Sequence, residues 1–450
     1  MKRKNVYTFV CNVPKDKNLI SCRWVFTYKR NDKGEIVRCK ARLVARGFSQ
    51  VLGIDYIETF SPTLKQDSLR IITSLAVHYK FNIYQLDIKA AYLNAELNEE
   101  LYMEIPEGDE NYNKGFWRLN KAIYGLKQAG RMWNFKINDT LLELGFTRCK
   151  SEPCAYVKKD YNNNVICILA IYVDDILIAG RNKTINKIKE DIKSKFELSD
   201  VGLVDFIIGI KFIKCNDGYL LHQSQYVDKI LNEFNIDKYN ETSHMLYIKN
   251  EELRNRNFNP KLYMKAVGCL LYLAIGTRPD ILFATSKTSR KNKNPTYEDW
   301  MNVIRIFRYL KGTKYYGIKF TNNINLNVYV DADLGGDEET KRSTTGFIIL
   351  IGTAPITWYS KLQQCVAVST AESEYYSLNE CALTCMWVKH FLYELNIDDG
   401  CITIKIDNRA AIYNSINETI NPKSRHIDLK YHKIRELIKE DEIDLKYIRS

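Results

Sequence analysis

Apolar and polar positions along this chain switch between a period of two and a period near 3.6, and the switches mark its elements. Cys22 to Tyr28 and Ile36 to Ala45 are rich in strand-forming residues. Asn31-Asp32-Lys33-Gly34 between them is a turn signal, so the pair reads as a hairpin. Arg38, Lys40, Arg42 and Arg46 are evenly spaced on the second arm, which places them on one face of a strand. A solvated charged face and a phosphate-gripping face account for that spacing equally well. In Ser68 to Tyr79, Leu69, Ile72, Leu75 and Ala76 recur at helical spacing. Ile83 to Ile88 alternates as a strand ending around Asp87, and Ala129 to Leu144 reads as a helix. Val165 to Ala179 is the most apolar run, predicting two strands with a break at Asp174-Asp175. Thr184 to Phe196 is a basic amphipathic helix, and Phe206 to Phe212 and Tyr219 to His222 flank a second hairpin turn at Cys215-Asn216-Asp217-Gly218.

Asp237 to Pro260 is polar with few apolar anchors and reads as a linker or long loop. Three helices are expected next, over Pro260 to Ile275, Asp280 to Lys291 and Thr296 to Leu310. The last segment changes character. Gly317 to Val330 and Thr345 to Trp358 are strand-rich, Ala371 to Leu395 is a long helix, Ile402 to Ile406 a strand, His426 to Lys439 a helix and Ile443 to Ile448 a strand. This α+β alternation predicts a separate domain beginning near Lys314.

Composition narrows the picture modestly. A chain of 450 residues with 45% hydrophobic content suits two to four packed units. Its 66 basic and 54 acidic residues leave a net charge of +12. That excess fits a polyanionic partner, but charge alone fits a surface of solvated lysines as well. Twelve cysteines are scattered without a Cys-x2-Cys pair, so structural zinc is not expected and a reducing, intracellular compartment is. The start, Met-Lys-Arg-Lys-Asn-Val-Tyr, lacks the apolar region of a signal peptide. Val165 to Ala179 is too short, and too acidic at Asp174 and Asp175, to cross a membrane.

The chemistry begins with Ile171-Tyr172-Val173-Asp174-Asp175-Ile176-Leu177-Ile178. Two adjacent carboxylates in an apolar strand context are costly unless something compensates their charge. A divalent cation is the natural compensator, held by one or two carboxylates and by substrate phosphates. Asp87 ends another apolar strand, in Tyr84-Gln85-Leu86-Asp87-Ile88. Three acids on two neighbouring strands can hold two ions ~4 Å apart for in-line phosphoryl transfer. A plain turn is the competing account of Asp174-Asp175, and apolar flanks on both sides make it the poorer one. A second set repeats the logic. Asp331 stands at a strand end in Tyr329-Val330-Asp331-Ala332-Asp333, Ser369-Thr370-Ala371-Glu372-Ser373-Glu374-Tyr375 opens the long helix, and Asp407 follows Ile404-Lys405-Ile406. One acid from each element would form a second two-ion site. Taken singly, each is more often a cap or a surface charge, and Glu372 in particular suits a first-turn acid favoured by the helix dipole.

Tyr172-Val173-Asp174-Asp175 resembles the polymerase signature of reverse transcriptases, and the wider sequence resembles the copia-type class of long-terminal-repeat retrotransposons. The matching runs are long and in order. They include Trp24-Val25-Phe26, Lys40 to Phe48, Thr59-Phe60-Ser61-Pro62, Leu86 to Asn94, Tyr102 to Gly108, Ala122 to Gln128, Tyr172 to Gly180, Leu271-Tyr272-Leu273 and Arg278-Pro279-Asp280. Lys341 to Phe347 and Trp358 resemble the ribonuclease H domain of the same elements.

The resemblance implies a right-hand polymerase of fingers, palm and thumb followed by a ribonuclease H-like α/β domain. The expected spans are 1–236 for fingers and palm, 237–313 for a mainly helical thumb or connection, and 314–450 for the ribonuclease H-like part, truncated at its end. It implies that Asp87, Asp174 and Asp175 are the metal-binding aspartates of the palm. Tyr92 would stack under the incoming sugar and exclude ribonucleotides, Lys40 and Arg42 would grip the triphosphate, and Gly125 and Gln128 would lie under the templating base. It also implies Asp331, Glu374 and Asp407 as the nuclease acids, with Glu374 preferred to Glu372 because Glu374-Tyr375-x-x-Leu378 matches the family pattern. The cofactor implied is Mg2+, with Mn2+ as the alternative. The partners implied are an RNA template, a DNA primer, RNA–DNA hybrid and deoxynucleoside triphosphates, with other proteins of the element beside them and no membrane. The compartment implied is the cytoplasm, in a virus-like particle or with access to the nucleus.

Two departures stand out. The family has proline where this chain has Gly130. Its fourth nuclease aspartate follows the last strand, beyond Ser450, and Asp428 is read as structural, so a truncated copy or a fragment of a polyprotein is expected. The leading reading is therefore an RNA-directed DNA polymerase with an attached ribonuclease H, the latter impaired if the fourth carboxylate is required. The alternative is a decayed or repurposed copy that only binds nucleic acid; a host repair polymerase or nuclease has nothing outside this match to support it. On either of the first two readings, phosphates are met mainly by Lys and Arg. Binding to a primer–template should then weaken by orders of magnitude between about 50 and about 200 mM salt. A titration that gives one affinity across that range would count against both.

Overall fold

The computed structural model describes residues 1–30, 35–245, 258–398, 400–416 and 428–449. The expected turn Asn31-Asp32-Lys33-Gly34, residues 246–257 of the expected linker, and His426 and Ile427 lie outside the described residues, as does the side chain of Asp428. The chain packs as two compact units, Met1–Leu64 with Tyr84–Gly202, and Lys65–Ile83 with Leu203–Ser450.

The first unit is built on a six-stranded sheet in the order Leu198–Leu203, Asn82–Ile88, Asp175–Gly180, Val165–Tyr172, Ala155–Lys159, Thr147–Arg148. Its two central strands are buried along almost their whole length, which is why they read as one apolar run. Leu169, Ile171, Ile176 and Ile178 share a core with Trp133, Ile137 and Leu141 of helix Ala129–Glu143 and with Ile185, Ile188 and Ile192 of helix Asn182–Lys195. The expected break shifts by one residue: Asp175 pairs with Tyr172, so the turn is Val173-Asp174. A second sheet has the order Tyr7–Val10, Phe116–Lys121, Glu96–Glu104, Leu19–Ile20. The basic hairpin forms as expected from Cys22–Arg30 and Ile36–Ala45, with Arg42 opposite Val25 and Lys40 opposite Thr27.

In the second unit, a five-stranded sheet runs Ala354–Leu362, Thr344–Ile351, Leu326–Ala332, Ile402–Ile406, Ile443–Tyr447. The first three strands are antiparallel, and the last two join in parallel. Helix Thr370–Glu394 packs on this sheet. Helices Ser224–Glu233, Pro260–Gly276 and Tyr297–Gly312 form their own core around Leu270, Trp300 and Phe307.

Several expectations change. Phe206 to Phe212 is not one strand: Ile208 and Gly209 both take positive φ, and Tyr272 donates its hydroxyl to the Ile208 carbonyl at 2.9 Å. The helix expected over Asp280 to Lys291 is Leu282–Ser289, preceded by a tighter turn at Pro279–Ile281. Gly317–Phe320 pairs with Gly218–His222 rather than with the five-stranded sheet, because a Cβ at Gly218 would meet the Phe320 carbonyl at 1.8 Å and glycine permits that approach. Strands such as Tyr7–Val10 and Phe116–Lys121 and the helix Arg409–Ile416 gave no sequence signal read above. No described helix is long and apolar enough to cross a membrane, and no cysteine forms a disulfide.

Helix Gln66–His78 also departs from a simple amphipathic face, since every residue from Ser68 to Ala76 is buried. Arg70 is the largest of these side chains. Its guanidinium donates to the carbonyls of Ile356 (2.7 Å), Ile275 (2.9 Å) and Gly276 (2.7 Å), and pairs with Asp67. It lies 4.1 Å from the ring centre of Trp358, whose indole donates to the Ala274 carbonyl. Burial pulls the arginine down to about 10, against the opposing pull of Asp67. A buried charge stays charged only with this many partners, and removing it strands three carbonyls. Arg70→Met should therefore destabilise the chain by about 3 kcal/mol. Urea unfolding followed by circular dichroism checks this, and an unchanged midpoint refutes it.

Candidate active sites

Strand Asn82–Ile88 buries Gln85, Leu86 and Ile88 and leaves Asp87 partly open. The Ile88 N–H donates to the Asp174 carbonyl at 2.9 Å, which ties the end of this strand to the neighbouring hairpin turn. At that turn Val173 has φ 58°, a left-handed conformation that is a genuine outlier for a β-branched residue. The Trp133 indole, from helix Ala129–Glu143, donates to the Val173 carbonyl at 2.7 Å and so holds the turn in place. Backbone strain of this kind persists only where its surroundings over-determine it.

Gln85 donates to Asp175 Oδ1 at 2.9 Å. Burial raises the Asp175 carboxyl above its ordinary value, Gln85 opposes the rise, and the charges of Asp174 and Asp87 add to it. The charges of Asp174 and Asp87 therefore both reach Asp175.

Around them stand two tyrosines and an arginine. Tyr92 lies in the turn Ala91–Asn94 and meets Tyr124 edge to face, with ring centres 4.8 Å apart. Burial, and then Asp174, pushes both phenols up. Arg42 lies 5.7 Å from the Tyr124 ring centre, and its charge opposes the rise of the Tyr124 phenol. Lys40 is two residues further along the same strand, facing the same way. Gly125 has φ 92°, and a Cβ there would sit 2.1 Å from the Ala45 carbonyl. With the Ala45 N–H donating to the Tyr124 carbonyl at 2.8 Å, this fastens the root of the basic hairpin to Tyr124-Gly125.

Gln128 is differently placed. It is fully buried, donates to the Asp55 carbonyl at 2.8 Å, and accepts from Gln50 at 3.0 Å. Both ends of its amide are held by protein, so it shapes the loop rather than presenting itself to a ligand. Gly130 lies in the first turn of helix Ala129–Glu143. Tyr124, Trp133 and Gln85 were not singled out from the sequence. Tyr124 lay within a matching run, and Gln85 stood two residues before Asp87 on its strand.

The second acidic set converges tightly. Val330 pairs in parallel with Ile406, so Asp331 and Asp407 leave adjacent strands at the same end. Glu374 reaches them from helix Thr370–Glu394. Ligand atoms of Asp331, Glu374 and Asp407 lie within 4.8 Å of one another, and among the described residues no other group of three or more does so. Burial pushes Glu374 up to about 8, helped by the charges of Asp331 and Asp407. Asp331 is raised too, first by burial and then by Asp407. Glu374 Oε2 is buried with no hydrogen-bond partner. Clustered acids with an orphaned oxygen fit a divalent cation, which supplies the missing positive charge. Glu372 is spent elsewhere. Its carboxylate accepts from the Val368 N–H at 2.8 Å while its own N–H donates at 3.2 Å to Oγ of Ser369, the residue that caps the helix.

Comparison with known proteins gives this geometry a context. Residues 4–247 match the family described as reverse transcriptase (RNA-dependent DNA polymerase). Over 467 residues the chain is 38% identical to the retrovirus-related Pol polyprotein from transposon TNT 1-94 of Nicotiana tabacum, covering 100% of this chain and 35% of that protein. It is 35% identical over 446 residues to the corresponding polyprotein from transposon RE1 of Arabidopsis thaliana, covering 97% of this chain and 30% of that one. The chain thus spans about a third of the length of these relatives. Among solved structures, a foamy viral protease-reverse transcriptase in complex with double-stranded DNA is similar in fold, with a TM-score of 0.50 at 10% identity, over 91% of this chain and 63% of that one.

The raised Glu374 has a measurable consequence. Its folded value, about 8, lies above the ordinary 4.5, so between those values the folded protein holds a proton that the unfolded chain has lost. Stability should fall as pH rises through that window. In chelator, the melting temperature of wild-type protein should drop from pH 5 to pH 8, and Glu374→Gln should flatten the drop. Parallel pH profiles for the two proteins would refute the assignment.

Proposed function

The chain belongs to the reverse transcriptase (RNA-dependent DNA polymerase) family, in its copia-type retrotransposon branch, and on that premise we propose that it extends a DNA primer on an RNA template at the site of Asp87, Asp174 and Asp175. The observation that carries this reading is the joining of these aspartates by the Ile88–Asp174 backbone bond, with Arg42 and two tyrosines beside them. In this proposal residues 1–236 serve as fingers and palm, 237–313 as thumb or connection, and 314–450 as the ribonuclease H-like part.

The roles follow from charge and shape. Asp87, Asp174 and Asp175 would hold Mg2+ or Mn2+. When bound, the ions lower the barrier to attack by the primer 3′-hydroxyl and neutralise the departing pyrophosphate. Arg42 and Lys40 bring positive charge to the triphosphate of the incoming deoxynucleotide, as cationic donors do in phosphoryl transfer. Tyr92 presents a flat ring to its sugar. Gln85 fixes one oxygen of Asp175, and Trp133 fixes the turn that carries Asp174. Gly125 lets the hairpin root approach closely, and Gln128 stiffens the loop behind it.

Asp331, Glu374 and Asp407 support a second activity of the same class, hydrolysis of the RNA strand of an RNA–DNA hybrid. Their close grouping and the unpartnered Glu374 oxygen suit a metal-assisted nuclease.

Primer extension on an RNA template with Mg2+ and deoxynucleotides tests the main reading. Wild-type chain should extend the primer, and the Asp174→Asn/Asp175→Asn double variant should lose at least about a thousandfold in rate, as expected when groups acting as one unit are removed. Folded wild-type protein that binds primer–template without extending it would instead identify a chain that only binds nucleic acid.

A further inference from the structure

Tyr124 occupies a position that none of the roles above uses. Its backbone is pinned to the basic hairpin: the carbonyl accepts from Ala45 at 2.8 Å, and the next residue, Gly125, makes the close approach that a Cβ would forbid. The Arg42 guanidinium sits over its ring, 5.7 Å from the ring centre. Its ring meets Tyr92 edge to face at 4.8 Å and an interplanar angle of 65°. Both rings lie in the field of Asp174. One side chain therefore touches the cation assigned to the triphosphate and the ring assigned to the sugar.

We propose that Tyr124 is a positioning residue that sets the sugar specificity of nucleotide addition, by bracing the Tyr92 ring through its edge while its face holds Arg42. This rests on the polymerase reading above. A steric filter rejects a ribose 2′-hydroxyl only if its ring cannot turn aside. Tyr92 is half-buried, and its ring rests edge to face on Tyr124, so the brace decides whether the filter is rigid. The ring face does separate work: it holds the long, rotamer-rich Arg42 side chain in place before the triphosphate arrives, which reduces the ordering needed on binding.

Two variants test this. Tyr124→Leu keeps an apolar side chain and removes the ring. The KM for deoxynucleotide should rise about threefold, the scale of one exposed cation–ring contact, and the preference for deoxy- over ribonucleotide should fall with it. Tyr124→Ala removes the brace. The ratio of kcat/KM for deoxy- over ribonucleotide should fall about tenfold, the upper end for one aromatic pair. Single-nucleotide incorporation by the full chain, with matched deoxy- and ribonucleoside triphosphates on one primer–template, reads both quantities. A merely structural residue would lower both substrates' rates together and leave the ratio alone. An unchanged ratio in a folded Tyr124→Ala protein overturns the bracing role while leaving the polymerase reading intact. If Tyr124→Ala does not fold, Tyr124→Leu decides alone, and an unchanged ratio overturns the inference. A wild-type chain that adds no nucleotide overturns the polymerase reading and this inference together.

Discussion

Like charges held close together at the ends of buried strands are the constraint on which both sites depend. In the first unit the charges of Asp174 and Asp87 add to the rise that burial gives Asp175, and in the second those of Asp331 and Asp407 add to the rise that burial gives Glu374. Such groupings oppose folding, because desolvation and mutual repulsion both favour the protonated form. They persist only where the scaffold is stable enough to hold them and where a ligand of opposite charge restores the balance. Both units use the same device: an acid at the end of an apolar strand, placed beside a second acid by strand pairing. The strand interiors supply the burial energy, and the strand ends carry the chemistry.

The two sites differ in how their acids are held. In the first, the turn Val173-Asp174 is fixed from outside, by the Trp133 indole and the Ile88 amide, and Gln85 restrains Asp175. All three restraints act on a hairpin whose own residues would not choose that conformation. In the second, no strained turn is needed. Parallel pairing sets Asp331 and Asp407 side by side, and a capped helix delivers Glu374 from its first turns. Glu374 is left with an oxygen that no protein group satisfies. The first site is thus shaped mainly by backbone geometry, and the second mainly by charge.

A comparable division appears among the basic residues. Arg70 is consumed by carbonyls, Asp67 and an indole, and serves packing. Arg42 is only half-buried and engages a phenol, which leaves much of its hydrogen-bonding fork available. The formal charge of +12 counts both residues alike, though only one of them can contribute to binding a polyanion.

The sequence by itself determined the elements and the acids. The hairpin of Cys22–Arg30 and Ile36–Ala45, the strand carrying Asp87, the helix Ala129–Glu143 and the strand Ile402–Ile406 were all legible, because periodicity and turn residues are local signals. Asp331, Glu374 and Asp407 were legible as members of one pattern, and their convergence is what tertiary structure added. Tertiary structure also decided what depends on distant partners. It moved the aspartate turn to Val173-Asp174, since a left-handed valine is set by Trp133 forty residues away in the chain. It buried Gln128 and Arg70, polar side chains whose main hydrogen-bond partners lie far along the chain. It gave Gly317–Phe320 to the strand Gly218–His222, and it brought Tyr124 against both Arg42 and Tyr92. A period of two or 3.6 says which face a residue takes. What meets that face is fixed only when the chain closes on itself, by contacts whose energies no local window contains.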